Sequence, residues 1–161
     1  LRLLIQRRAS RLTIATLPIN EQIAGRGYQS HAIRRVAETF ENDAQRDALL
    51  VMATGSGKTR TVIALTDLMM RANWAKRILF RADRKALVRQ AVGAFKAHLL
   101  GTPVVNLVEE KDLSSRVFVF TYPTLMNIIN KEIASALLDQ LTIPAVRAQQ
   151  ELLGEIAGDE W

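Results

Sequence analysis

The stretch LLVMATGSGKTRTVIAL, Leu49 to Leu65, sets a short apolar run against a glycine-rich turn and then a helix-like pattern. Ala48 to Ala53 is continuously apolar and of strand length, which suits a strand buried on both faces of a parallel sheet. Gly55 and Gly57 permit a tight turn whose backbone N–H groups face outward as an anion nest. The helix expected next offers its partially positive N-terminus to the same anion. Lys58 is spaced to reach the β- and γ-phosphates of a nucleoside triphosphate, and the Thr59 hydroxyl to ligate Mg²⁺. Thr54, Gly55, Ser56, Gly57 and Arg60 complete the expected nucleotide-contacting set, with ATP and Mg²⁺ as cofactors. The strict pattern G-x-x-x-x-G-K-[ST] asks for a small residue at position 52, where this chain has Met52.

On either side of the loop, strand-like and helix-like patterns alternate. Ser30 to Asn42 places Ala32, Ile33, Val36, Ala37 and Phe40 on one face, with Ser30 the expected N-cap. After the loop, Val62, Ile63, Leu65, Leu68 and Met69 mark a helix. Arg77 to Ala82 reads as a strand, and the helix after it turns Ala86, Leu87, Ala91, Ala94, Phe95 and Leu99 inward. TPVVNLV and RVFVF are two further strands, separated by the charged turn EEKDLSS. This alternation is the mark of an α/β parallel sheet. From Lys131 to Trp161 only helical patterns appear, broken at Pro144, which places a boundary near residue 130.

The chain has 161 residues, of which 48% are hydrophobic and 24% charged, enough to bury a core without metal or disulfide staples. It contains no Cys, which excludes a disulfide framework or a thiolate metal site. No apolar run approaches the roughly 18 residues of a membrane span. A cytoplasmic protein with no membrane partner is expected. The net charge of +6 favours a polyanionic partner such as nucleic acid. Residues 1–24 read as a basic linker, although their Arg-rich, acid-poor start also has the composition of a transit peptide. The first residue is Leu rather than Met, which suggests a fragment or an alternative start.

Several blocks beyond the loop carry a resemblance: GRGYQSHAIRRVAETFE, KRILFRADRKALVRQAVGAFKAHL, VNLVEEKD and RVFVFTYPTLMNII. With the loop, their order and spacing resemble the motor part of the type I restriction enzyme R subunit, a superfamily 2 helicase-like translocase. The resemblance covers roughly residues 18–130. It implies a partial RecA-like P-loop lobe over 25–130, ATP-dependent action on double-stranded DNA, and association with methylation and specificity subunits. Tyr28 and Gln29 match the family's adenine-reading motif; an aromatic ring can stack on adenine and a Gln amide can pair with N6 and N7. RADRKALVRQ matches a segment that faces DNA in such motors. Asp83, Arg84 and Arg89 are therefore either DNA contacts or the solvated start of a helix. TYPT offers Thr121 and Thr124 either to a DNA phosphate or to helix capping.

Other expectations concern what the pattern lacks. The family carries an Asp-Glu pair soon after TYPT, and this sequence has none there. Glu109 and Glu110 read as a surface turn rather than a substitute, and Asp159 and Glu160 as the end of a helix. The second motor lobe with its arginine fingers, and a preceding nuclease domain, are likewise not found. Residues 136–161 resemble the family's C-terminal helical region, so an internal deletion is expected to have joined the two parts, with 131–161 a helical segment. His31 and His98 have no metal-ligand spacing, and Trp74 and Trp161 read as packing residues. Two readings follow: a translocase module, or a non-catalytic remnant or docking module that binds nucleotide or DNA without turnover.

Overall fold

The four residues Val117–Phe120 are all buried, as expected of a strand flanked on both edges and covered on both faces. In the computed structural model, which describes residues 9–45 and 47–140 (134–140 by backbone alone), this strand is β3, the centre of a parallel three-stranded sheet. β1 (Ile78–Arg81) and β2 (Val104–Asn106) flank it in the order β1-β3-β2. The register sets Ile78 beside Val117 and Arg81 beside Phe120 on one edge, and Val104 beside Val117 on the other. The sheet gives the partial RecA-like α/β lobe expected from the alternating pattern.

The helices are α1 (Glu21–Ala24), α2 (Gly27–Glu41), α3 (Lys58–Arg71), α4 (Lys85–His98) and α5 (Tyr122–Gln140). Contacts divide the chain into two units, Leu1–Tyr122 and Pro123–Trp161. The sheet and α1–α4 belong to the first, while α5, from Pro123 on, belongs to the second. The helical tail expected from 141 to 161 lies outside the described residues. No helix among the described residues is long and apolar enough to cross a membrane.

The core of the first unit collects Ile33 and Ala37 of α2, Ile63, Ala64 and Leu68 of α3, and Val88, Ala91 and Phe95 of α4 against Val117 and Val119. Phe95 is fully buried and meets Phe80 edge to face, with ring centroids 5.3 Å apart. In α4 the buried stripe is Val88, Ala91 and Phe95, so it is rotated from the expected face and leaves Leu87 partly exposed. Steps of three and four from Val88 fit the helical period, and Leu87 falls at the margin of the face.

The helix expected to begin at Ser30 starts earlier. Arg26 is the N-cap, in extended geometry and without a side-chain cap bond, so Tyr28 and Gln29 lie in the first turn of α2. Gln29 is buried in that first turn. Residues 9–19, within the stretch read as a linker, pack on the helices. Ile14 is fully buried in the main core. Arg34 donates to the carbonyls of Ile14, Ala15 and Leu17, and the Glu41 carboxylate accepts from the Ala15 N–H at 2.8 Å. Trp74 Nε1 donates to the Leu12 carbonyl at 2.9 Å, and Arg11 lies over its ring.

One expected strand does not form. Residues 47–53 pair with no described strand, and Leu49 and Val51 are each 88% exposed. β1, at the edge of the sheet, pairs among the described strands only with β3. An apolar run becomes a buried strand only where a neighbouring strand is present to take its N–H and C=O groups.

Candidate phosphate-binding site

Residues 53–58 form a turn that closes on the Ala53 carbonyl. That oxygen accepts from the Ser56 N–H at 3.3 Å, the Ser56 hydroxyl at 2.6 Å and Lys58 Nζ at 3.2 Å. Gly55 and Gly57 have φ of +78° and +82°, the left-handed region that a turn of this kind needs. Gly57 is the N-cap of α3; it supplies no side-chain acceptor, and the first turn of α3 carries no acid. The positive end of a 14-residue helix thus has neither a side-chain cap among the described residues nor an acid in its own first turn. The Gly57 carbonyl accepts from the Thr61 N–H at 3.0 Å and the Thr61 hydroxyl at 3.1 Å, which fixes the start of the helix.

The first turn of α2 reaches this loop. Gln29, only 2% exposed, donates its amide from Nε2 to the Ser56 carbonyl at 2.9 Å. The Tyr28 hydroxyl donates to the same carbonyl at 2.7 Å and accepts from Arg26 at 2.9 Å. Gln29 Oε1 is buried and has no partner among the described residues. The structure therefore brings Tyr28, Gln29, Ser56, Gly57 and Lys58 together. Arg26 was not legible in the sequence as part of this group, because its role arises only through the Tyr28 hydroxyl.

Arg60 is placed otherwise. It donates to the carbonyls of Ile23 and Gln22, at 2.9 and 2.8 Å, and so ties the end of α1 to α3. Lys58 and Thr59 line a cavity of about 260 Å³ whose floor includes Val62, Phe80, Leu87 and Ala91. Arg81 and Gln90 also line it, and none of the described residues that line it is a carboxylate. Arg81 lies inside the RADRKALVRQ block but is not singled out by the sequence, although the C-terminal end of a parallel strand is where such sheets place ligand sites. Its guanidinium also lies 5.6 Å from the Tyr122 ring centroid.

The residues expected to face DNA are spread more widely. Arg84 is the exposed N-cap of α4. Arg89 lies one turn further on, and its guanidinium is 3.8 Å from the Glu109 carboxylate on an exposed surface. Thr121 follows β3 and is buried; Thr124 lies in α5, within the second unit. Glu109 and Glu110 fall in the turn after β2, with their N–H groups bonded to the Asn106 carbonyl. In the charged turn that follows, the Ser114 hydroxyl and N–H and the Ser115 hydroxyl hold the Asp112 carboxyl below its ordinary pKa.

A polyphosphate fits the donor set of the loop: left-handed glycines, an uncapped helix start and one ammonium group. For a divalent cation the loop offers the Thr59 hydroxyl, and among the described residues no cluster of His, Asp or Glu could hold a metal by itself. Comparison with known proteins gives this arrangement a family. The family described as "Type III restriction enzyme, res subunit" matches residues 22–151. The chain belongs to it. Among curated proteins, the type I restriction enzyme EcoKI endonuclease subunit of Escherichia coli K12 is 43% identical over 79 residues, 49% of this chain and 7% of that protein. The type I restriction enzyme EcoAI endonuclease subunit of Escherichia coli is 46% identical over 65 residues, 40% of this chain and 8% of that protein. The matches thus span less than a tenth of the length of these relatives. No solved structure is significantly similar. The restriction-subunit family, with its helicase-like domain, is the one indicated by the sequence blocks around the loop.

Proposed function

We propose that this chain holds ATP on residues 53–59 as the ATP-binding lobe of a DNA motor in a type I restriction system. The observation that carries the reading is the pairing of left-handed Gly55 and Gly57 with the acid-free, uncapped start of α3 beside Lys58. In this reading the loop N–H groups and α3 bind the phosphates, and Lys58 leaves the Ala53 carbonyl to meet them. Thr59 would hold Mg²⁺, which supplies charge neutralisation on the phosphates when bound. Double-stranded DNA is the proposed polymer partner, supported by the net charge of +6 and by Arg84 near the end of β1. The methylation and specificity subunits of such a system are the proposed protein partners.

A second reading, binding without turnover, is favoured by one feature: among the described residues no carboxylate lines the cavity beside Thr59. Hydrolysis needs a group to hold the metal and orient the attacking water. ATP and Mg²⁺ are therefore expected to bind while the ATPase rate of this chain stays at background, with or without DNA. A titration of the 161-residue chain with ATP, with and without Mg²⁺, tests binding. Replacing Lys58 by Ala removes a charge-assisted contact and is expected to weaken binding about 10- to 100-fold. Unchanged affinity in Lys58→Ala would sink the site assignment. A DNA-stimulated ATPase rate that disappears in the same variant would instead establish the motor reading.

A further inference from the structure

We infer that Tyr28 and Gln29, with Arg26 behind them, are positioning residues for the phosphate loop, acting through the Ser56 carbonyl. The inference rests on the reading of residues 53–59 as a phosphate site and assigns a different task to two residues expected to meet the base. Both donate to one oxygen: Tyr28 Oη at 2.7 Å and Gln29 Nε2 at 2.9 Å. Ser56 and Gly57 share a trans peptide, in which the C=O and N–H point in opposite directions. Holding the Ser56 carbonyl toward α2 therefore turns the Gly57 N–H away from α2. That N–H finds no acceptor among the described residues. It is left for an anion seated on the loop.

The peptide needs such a hold because glycine permits either orientation at little cost. Gly57 already has φ of +82°, and a rotation of the 56–57 peptide would spend the N–H on the wrong side of the loop. Two donors on one carbonyl oppose that rotation. Arg26 strengthens the outer one: its guanidinium donates to the Tyr28 oxygen at 2.9 Å, polarising the hydroxyl that then donates to Ser56. The Gln29 amide nitrogen is committed as well, since its second, longer contact is the Gly57 carbonyl at 3.4 Å. The loop contact is thus made before any base arrives.

The test compares two ligands that differ in whether they carry a base. Affinities for ATP and for inorganic tripolyphosphate are measured on the full chain and on Tyr28→Phe, Arg26→Ala and Gln29→Glu, with circular dichroism of each. A carboxylate at position 29 cannot donate to the Ser56 carbonyl. Tyr28 and Arg26 are exposed, so their variants isolate the contact even where the buried Gln29→Glu fails to fold. The expected result is an equal loss for both ligands, about two- to ten-fold in Tyr28→Phe and smaller in Arg26→Ala. A loss confined to ATP would overturn the inference and return Tyr28 and Gln29 to base contact, leaving the phosphate site intact. Unchanged affinity for both ligands in Tyr28→Phe would overturn it too. No binding of either ligand by the unaltered chain would overturn the inference and the phosphate site together.

Discussion

A Cβ built on Gly57 collides with Gln29 Nε2, whereas one built on Gly55 meets nothing within 4 Å. Both glycines are left-handed, so an alanine at either position carries a similar backbone strain, about 1–2 kcal/mol. The difference between them is the displaced amide. Gly57→Ala is expected to push Gln29 off the Ser56 carbonyl and to lower tripolyphosphate affinity well beyond Gly55→Ala. Titration of the two variants side by side checks this; equal losses would mean that the Gln29 contact does not shape the loop. The glycines, Lys58 and Thr59 were legible because the loop's chemistry is local, held in a run of adjacent residues. The part played by Arg60 was not. Its acceptors, the Ile23 and Gln22 carbonyls, lie 37 and 38 residues away in the chain, and no local spacing points to them. Tyr28 and Gln29 were marked by resemblance, but the atom they touch could be found only in three dimensions.

Helices and strands differ in how much of their environment they announce. β3 and α4 were legible because their patterns match their surroundings: VFVF is buried throughout, and Val88, Ala91 and Phe95 recur at helical spacing. The run before the loop has the same apolar character as β3, yet it pairs with no described strand. Pairing is a property of two segments, and an apolar run specifies only its own half. A comparison of substitutions follows from this contrast. Leu49→Ser and Val51→Thr, at positions 88% exposed, are expected to change stability by no more than about 0.5 kcal/mol. Phe95→Ala removes a fully buried ring that contacts Phe80 and is expected to cost about 3–5 kcal/mol. Urea unfolding of the three variants measures the difference. A cost above 2 kcal/mol at Leu49 would mean that this run is buried in solution and that the strand forms after all.

For the lobe as a whole, the question is where its fold begins. A basic, acid-free opening reads as a linker by composition, and composition says nothing about long-range acceptors. The carbonyls of Ile14, Ala15 and Leu17 satisfy Arg34, the Pro18 carbonyl satisfies Arg71, and the Leu12 carbonyl satisfies the Trp74 indole. Ile14 also fills a place in the main core beside α2 and α3. We propose that residues from about Ser10 onward are part of the lobe. Removing them does two things. It opens a cavity where Ile14 sat, worth about 2–5 kcal/mol on the scale of buried aliphatic deletions. It also leaves the half-buried Arg34 guanidinium without its carbonyl acceptors, a further cost of about 1–3 kcal/mol. Against a typical domain stability of about 5–15 kcal/mol, the combined loss is large enough to abolish cooperative unfolding. Chains beginning at residues 9 and 20 should therefore behave differently in thermal melts. The longer one keeps Ile14 and the Arg34 acceptors and is expected to melt in a cooperative transition. The shorter one is expected to melt far lower or without a transition, and equal melting temperatures for the two would show that residues 9–19 are a linker after all.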